Sequence, residues 1–330
     1  MSERAPVHDA LEAAVRRHLG APGEVRALVR LTGGATKATW SFDAIVGSET
    51  LPLILQQAEP AVGGVPGVHG AHDAALLAAA RRAGVPAPRV RIVLTAADQL
   101  GEGTVTDRVA GETLGRKINL DARFAATRPQ LAAQCGSILA AIHRIDPSGL
   151  DFLVAQTPRA QLAAYRAIAD AHDHPLPAIE LGLRWLADHL PDAPRSCVVH
   201  GDFRNGNLIV GEDGVRCVLD WELAQIADPM LDLGWLCVKT WRFGGPHPVG
   251  GFGHRDDLFA AYERAGGGPV DPTHVRFWES FGCVKWALMC MHKGLGPHTG
   301  AARSVEAVAI GRRIEEPLLD FLDLITGTEA

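Results

Sequence analysis

Three polar side chains within one largely apolar stretch have the types and spacing for chemistry on a phosphate. The segment from Cys197 to Leu236 reads CVVHGDFRNGNLIVGEDGVRCVLDWELAQIADPMLDLGWL. A short apolar run delivers His200, Gly201 and Asp202; Asn207 comes five residues after Asp202, and Asp220 follows a turn-rich GEDG and a second apolar run. A four-residue hairpin loop over 211–214 would set Val210 opposite Val215 and Asn207 opposite Val218, leaving Asn207 and Asp220 on one face, two residues out of register. Mg²⁺ prefers oxygen ligands and usually takes only one or two from protein, so an amide oxygen and a carboxylate are a sufficient set. Asp202, ahead of the hairpin, is then free to receive a proton. Asp, Asn and Gly are also ordinary turn residues, and each fragment alone reads equally well as loop. The agreement of several parts in order and spacing, between apolar strands, points to phosphoryl transfer.

The same order occurs in protein kinases, where an Asp receives the hydroxyl proton, an Asn five residues on holds one Mg²⁺, and a later Asp holds the metals. HGDFRNGNLIV, VLDWE and DPMLDLGWL together resemble the Brenner-type motif of the aminoglycoside phosphotransferase and choline kinase superfamily, small-molecule kinases with a protein-kinase-like fold. LTGGATKATW, AGVPAPRV, VAGETL, RFWESFGCVKWAL and IGRR are similar to the subgroup related to the kinase-like domains fused to acyl-CoA dehydrogenases. The resemblance therefore covers nearly the whole chain. It implies a bilobal α+β fold: an N-lobe over residues 1–108 with an antiparallel sheet and one main helix, and a larger helical C-lobe over 109–330. It also implies phosphorylation of a small-molecule hydroxyl with ATP and Mg²⁺. Asp202 would be the catalytic base and Asn207 and Asp220 the metal ligands, with His200 and Arg204 supporting the loop and Arg204 in reach of phosphate or substrate. The backbone at Asp107 and Val109 would meet the adenine edge.

These groups need elements to position them. Val7 to Leu19 has helical spacing, with Leu11, Val15 and Leu19 on one face and Gly20 as a stop, and is expected on the outside of a sheet. Val25 to Thr32 and Ala38 to Ala44 read as a hairpin whose tip is Gly33, Gly34, Ala35, Thr36 and Lys37. Glycines there let backbone N–H groups approach phosphate oxygens, although a plain turn needs them too. Leu51 to Gln57 is the next strand. At the position that carries Lys in protein kinases it has Gln56, and the following helix, Ala71 to Ala83, offers Asp73 where a Glu would pair with that Lys. The usual ion pair is therefore expected to be absent, with Gln56 donating a neutral amide N–H to phosphate and charge neutralised by Mg²⁺ and Lys37. Ala58 to His69 reads as a Gly- and Pro-rich flap over the nucleotide. His69 and His72, at i and i+3, have no third ligand nearby and read as an exposed helix start rather than a metal site. Arg89 to Thr95 and Gly103 to Arg108 complete a five-stranded antiparallel sheet.

Beyond the hinge, Pro129 to Ile145, Leu162 to Ile168, Ile179 to Leu190, Leu258 to Ala265, Val275 to Lys293 and Ala302 to Leu324 read as helices, the last bent or broken near Pro317. His143 is expected beneath the catalytic loop and Asp232 as its brace at a helix start. Gly-rich stretches at Phe243 to Gly253 and Gly294 to Gly300 lie where a substrate lid would be. Trp235, Trp241, Trp278 and Trp286 read as core or pocket wall.

Composition bounds the partners. The 330 residues carry a net charge of −6, which argues against a nucleic-acid or anionic-membrane partner. Six cysteines without a CxxC pair, mostly within apolar runs, read as reduced core cysteines of a cytoplasmic protein. The charged N-terminus has no apolar core and reads as neither a signal peptide nor a transmembrane helix. A second reading, a nucleotide-binding pseudokinase or regulatory module, is motivated by Gln56 and Asp73. Between 235 and 314 there are ten Lys and Arg against six Asp and Glu, so this region is basic although the chain is acidic. That bias favours a neutral or anionic hydroxyl acceptor over a polycationic aminoglycoside.

Overall fold

Strict alternation sets the first sheet. In the computed structural model, which describes residues 4–31, 37–58, 70–172, 176–191, 195–299 and 305–327, strand β2 (Lys37–Val46) buries Trp40, Phe42 and Ala44, while Lys37, Thr39 and Ser41 take the opposite face. Helix α1 (Arg4–His18) packs Leu11, Ala14 and Val15 into one apolar cluster with those residues and with Leu53 and Leu55 of β3 (Glu49–Ala58). With β1 (Pro22–Arg30), β4 (Val90–Val93) and β5 (Gly103–Asp107), the sheet has the order β1-β2-β3-β5-β4 and is antiparallel throughout. The expected turn at Gly33, Gly34, Ala35 and Thr36, and the flap with His69 apart from Ala58, lie outside the described residues. His72 is exposed, its ring stacked on Phe152.

Helix α2 (Gly70–Arg82) belongs to two neighbourhoods. Its Leu76, Leu77, Ala79 and Ala80 join the larger core cluster, with α4 (Arg128–Ile142) and the helices beyond it, and not the cluster under α1. The sheet thus connects to the helical lobe through a buried apolar face, which fixes the cleft between them.

The helical lobe comprises α3 (Gly115–Leu120), α4, α5 (Pro158–Asp170), α6 (Pro177–Asp188), α7 (Met230–Cys237), α8 (Arg255–Arg264), α9 (Pro272–Thr299), α10 (Val305–Gly311) and α11 (Glu315–Thr326). Prolines 158, 177 and 272 open their helices, where a missing N–H costs nothing, and Thr157 caps α5 by accepting the Ala160 N–H at 3.1 Å. Over the described residues 305–326 the expected last helix is broken into α10 and α11, with Pro317 in the first turn of α11.

Three expectations are corrected. Residues 294–299 continue α9 rather than forming a Gly-rich connection, because Gly294 packs on Gly311: an added Cβ would stand 3.0 Å from the Gly311 Cα, so glycine serves helix packing there. The stretch from Phe243 to Gly253 is not a loose lid. Asn119 and Asn205 both donate their side-chain N–H groups to the Gly250 carbonyl, at 3.0 and 2.7 Å, and Val249 and Phe252 are buried. Finally, the hairpin of β7 (Leu208–Gly211) and β8 (Gly214–Val218) pairs Val210 with Val215, as expected, but Leu208 with Val218. An irregularity between Ile209 and Val210, with Arg216 as the extra residue, shifts the register by one, so Asn207 lies opposite Leu219, whose N–H reaches the Asn207 carbonyl at 2.8 Å.

Candidate active site

The catalytic loop leaves β6 (Cys197–Val199), a short strand paired with β9 (Gln225–Ala227). Gly201 adopts φ 78°, and a Cβ there would lie 2.2 Å from the Leu223 carbonyl oxygen, so the turn admits only glycine. Asp232, buried in the first turn of α7, takes the His200 N–H on Oδ2 at 2.8 Å and the Gly201 N–H on Oδ1 at 2.9 Å. His143 Nε2 stands 3.1 Å from the same carboxylate and its Nδ1 2.8 Å from the Tyr262 hydroxyl. A carboxylate can only accept, so Nε2 carries the proton. Burial opposes charge on Asp232, but the His143 hydrogen bond and the loop N–H groups outweigh it and hold the carboxyl below its ordinary range. Asp232 and His143 therefore brace the loop from beneath.

His200 is fully buried, and burial lowers its pKa. The neutral ring donates from Nε2 to the Leu219 carbonyl at 3.0 Å and accepts the Asp202 N–H on Nδ1 at 3.2 Å. One imidazole thus ties Asp202 to the strand end that carries Asp220. Asp202 Oδ1 accepts from Trp235 Nε1 at 2.7 Å and Arg204 Nε at 3.1 Å, and Oδ2 accepts from Asn207 Nδ2 at 2.7 Å. Asn207 Nδ2 also reaches the Asp202 carbonyl at 3.0 Å. With its nitrogen spent on Asp202, Asn207 keeps Oδ1 without a hydrogen bond among the described residues.

Asp220 has the most exacting environment. It sits at φ 63°, a left-handed conformation that a non-glycine residue adopts only when its surroundings hold it there. Its carboxylate accepts no hydrogen bond among the described residues. Burial, then the charges of Glu222 and Asp202, push its pKa up to about 6, against attraction from Lys37 and Arg204. A half-buried carboxylate without donors, raised by its neighbours, could hold a cation. Among the described residues no group of three or more His, Cys, Asp or Glu could hold a metal; the Asn207 amide oxygen and the Asp220 carboxylate are oxygen donors of the kind Mg²⁺ takes beside phosphate and water.

The N-lobe contribution differs from expectation. The ion pair read as absent is present in another form: Lys37 Nζ lies 3.8 Å from Asp73 Oδ2, with the two side chains only 9% and 6% exposed. The lysine comes from β2 instead of β3. Lys37 stands at the start of the cleft face of β2, next but one to Thr39, which pairs with Gln56, so the cation occupies the same surface as that glutamine. Its charge is among those that draw the Asp220 pKa down against burial. Gln56 makes no side-chain hydrogen bond among the described residues. At the hinge the Asp107 N–H is already donated to the Arg89 carbonyl at 2.9 Å and its carboxylate accepts from Arg91 Nε at 2.6 Å, so an adenine edge would have to use the Asp107 carbonyl. The Val109 N–H makes no hydrogen bond among the described residues.

Two residues at the loop were not read from sequence as its partners, Trp235 having been read as core or pocket wall. Trp235 is core by burial but donates to Asp202; its place three residues after Asp232 on α7, on the face that meets the loop, was the available signal. Lys285 of α9 lies 3.4 Å from the Gly201 carbonyl and 4.2 Å from the Trp235 ring centre, and nothing in its local sequence marks it.

This arrangement can be set against known proteins. A model of the APH phosphotransferase enzyme family matches residues 28–277, from β1 into α9. The chain belongs to that family. It is a phosphotransferase with the fold of small-molecule kinases. Over 170 residues it is 29% identical to mouse (Mus musculus) acyl-CoA dehydrogenase family member 10, covering 49% of this chain and 16% of that protein. Over 81 residues it is 38% identical to chicken (Gallus gallus) acyl-CoA dehydrogenase family member 11, covering 23% of this chain and 10% of that protein. The matched segments are thus small parts of those relatives. Among solved structures, a candidate aminoglycoside phosphotransferase from Ralstonia eutropha JMP134 superposes with TM-score 0.75 at 22% identity, covering 97% of this chain and 98% of that one. A choline/ethanolamine kinase family protein from Mesorhizobium loti gives 0.65 at 21%, covering 97% and 95%. Spectinomycin phosphotransferase APH(9)-Ia, solved with ADP and spectinomycin, gives 0.62 at 17%, covering 95% and 98%. At these identities the structures establish the bilobal kinase-like fold. Among the described residues no helix is long and apolar enough to cross a membrane.

Proposed function

We propose that the protein transfers the γ-phosphoryl group of ATP, with Mg²⁺, to a hydroxyl of a small molecule bearing neutral or anionic groups. The single observation that carries this reading is Asp220, a half-buried carboxylate with no hydrogen-bond donor among the described residues and a pKa raised to about 6. Mg²⁺ held by Asp220 and Asn207 would neutralise phosphate charge as it develops. Asp202, oriented by Trp235, Arg204 and Asn207, would position the acceptor hydroxyl and take its proton. Lys37, held by Asp73, would meet the phosphates from the N-lobe, with the Gly33–Gly34 turn covering them, Gln56 on the same face and the backbone of Asp107 and Val109 at the adenine. His200 would keep loop and metal ligand in register.

The lobes are proposed to divide between Arg108 and Val109, and the six free cysteines support a reducing, cytoplasmic setting. The nucleotide-bound state of APH(9)-Ia supports ATP as donor. The alternative of a catalytically silent nucleotide-binding module rested on a missing charge beside Gln56, and Lys37 supplies one. Calorimetric titration of ATP with and without Mg²⁺ tests the reading: Mg²⁺ should tighten binding in the wild type and not in Asp220→Ala. An equal metal effect in both would put the metal elsewhere.

A further inference from the structure

A chain of hydrogen bonds runs from the surface to the catalytic loop, and each link has one direction. Arg195 is exposed, yet its Nη2 donates to the Gly267 carbonyl at 2.6 Å and to the Tyr262 hydroxyl oxygen at 3.3 Å. A guanidinium can only donate, so the phenol oxygen accepts there and turns its own proton to its other neighbour, His143 Nδ1, at 2.8 Å. His143 then carries its proton on Nε2, which meets Asp232 Oδ2 at 3.1 Å. Asp232, which can only accept, closes the chain by holding the His200 and Gly201 N–H groups on its two oxygens. A donor-only end and an acceptor-only end thus fix the two groups between them, each of which could otherwise point either way. Tyr262, His143 and Asp232 are all buried, so a broken link would leave a polar group unpaired, at a cost. Burial also raises the Tyr262 pKa, against the nearby charge of Arg195, and keeps the phenol proton in place.

Glycines bring these side chains together. Helices α4 and α8 meet at Gly136, where a Cβ would stand 2.3 Å from the Leu258 carbonyl oxygen. One turn on from Leu258 in α8 comes Tyr262, and two turns on from Gly136 comes His143, with the two ring centres 5.5 Å apart. After α8 the chain folds back at Gly267 and Gly268: a Cβ on the first would lie 2.4 Å from the Tyr262 ring and on the second 2.2 Å from Arg195 Nη1, so the turn closes on both.

Among the described residues neither Arg195 nor Tyr262 hydrogen-bonds Asp202, Asn207 or Asp220. We propose that both are positioning residues for the transfer: acting through His143 and Asp232, they hold the backbone of His200 and Gly201, and with it Asp202, in the orientation that receives the hydroxyl proton. This rests on the phosphotransfer reading above. Misplacing a catalytic group by about 1 Å can cost 10²-fold in rate, so loosening the base of the loop is felt at Asp202 while the nucleotide contacts stay as they are.

The test compares the full chain as wild type, Tyr262→Phe, which removes one hydroxyl and keeps the ring, Arg195→Met, and the double variant. In wild-type protein ¹⁵N spectra should show His143 with a pyridine-like Nδ1 and a pyrrole-like Nε2. Hydrogen exchange at the His200 and Gly201 amides should quicken about 10-fold in Tyr262→Phe, the range of one buried hydrogen bond. The Kd of Mg·AMP-PNP should change less than about 3-fold, whereas kcat should fall about 10-fold, read as ADP formed from Mg·ATP with glycerol, glycerate and glycerol 3-phosphate as acceptors. Arg195→Met should shift exchange and kcat in the same direction, and the double variant should be no worse than Tyr262→Phe, because the two residues act on one chain. A pyrrole-like Nδ1 in the wild type overturns the direction of the chain and the proposal with it. A Tyr262→Phe variant that melts lower but keeps its exchange at His200 and Gly201 and its kcat makes Tyr262 a packing residue, and losses that multiply in the double variant separate it from Arg195; either result overturns the proposal. Where none of these acceptors is turned over, the exchange comparison decides the proposal by itself. Protein that binds no Mg·AMP-PNP refutes the phosphotransfer reading instead.

Discussion

Replacing Asp220 with Asn should make the metal-free protein more stable and the nucleotide-bound protein less so. In the metal-free state the wild-type carboxyl titrates near 6 instead of its ordinary 3.8, because burial and two neighbouring carboxylates disfavour its charge. The folded state therefore binds a proton more tightly than the unfolded state. Stability falls as pH rises from about 4 to about 6 and stays low above that. Two pKa units correspond to about 3 kcal/mol at pH 8, about half of it already present at pH 5. Asparagine fills the same volume without charge and recovers part of this. For 330 residues at the usual specific unfolding entropy, 3 kcal/mol is about 4 °C in Tm, an upper bound for the gain. Mg·ATP reverses the order, because a ligand at 100 times its Kd adds about 2.7 kcal/mol to the protein that binds it, and the variant has lost an anionic ligand. Calorimetric melting at pH 8 and pH 5, with and without Mg·AMP-PNP, reads all four states. A variant that melts below the wild type without metal at pH 8, or that gains as much from Mg·AMP-PNP, would refute the view of Asp220 as an unsatisfied carboxylate awaiting a cation.

Further consequences follow from the same contacts. Lys37→Ala should weaken ATP binding more than Gln56→Ala, since a charged contact outweighs a neutral amide; isothermal titration reads both, and the reverse order would remove Lys37 from the phosphate site. Protons compete with Mg²⁺ for Asp220, so the metal-dependent part of ATP affinity should decline as pH falls through about 6; a metal effect constant from pH 8 to pH 5 would exclude Asp220 as ligand. Kanamycin should be turned over negligibly, because Lys285 and Arg204 repel a polycation beside the base; saturable phosphorylation at micromolar concentration would contradict that.

The parts of this site legible in the sequence were those fixed by local chemistry. Asp202, Asn207 and Asp220 stood out because few residue types can take a proton or bind Mg²⁺, and the loop brace of Asp232 and His143 followed from their places on helices. The helix starts were less legible: the apolar spacing begins at Leu162, Ile179 and Val275, whereas α5, α6 and α9 open at prolines 158, 177 and 272. Register was less legible: nothing in GVRCVLD marks Arg216 as an extra residue, and the argument from alternating faces also assumed extended backbone at Asp220, which is left-handed. The Lys37–Asp73 pair escaped because the charge was sought on the third strand, and only the folded sheet brings the start of β2 against α2. Lys285 and Trp235 meet through the packing of α9 on α7, a tertiary contact that leaves no local pattern in either segment.

The account stands most directly on the transfer itself. Incubating the protein with Mg·ATP and a panel of neutral and anionic hydroxyl compounds as probes, and following phosphorus by ³¹P NMR, should show a new phosphate ester appearing in step with ADP. In Asp202→Asn the rate should fall by roughly 10² to 10⁴ while Mg·ATP affinity and Tm change little. An ester formed by the variant at more than about a third of the wild-type rate, with chemistry rate-limiting, would contradict the role of Asp202. ADP released with no ester formed on any probe would contradict transfer to a hydroxyl acceptor of these classes.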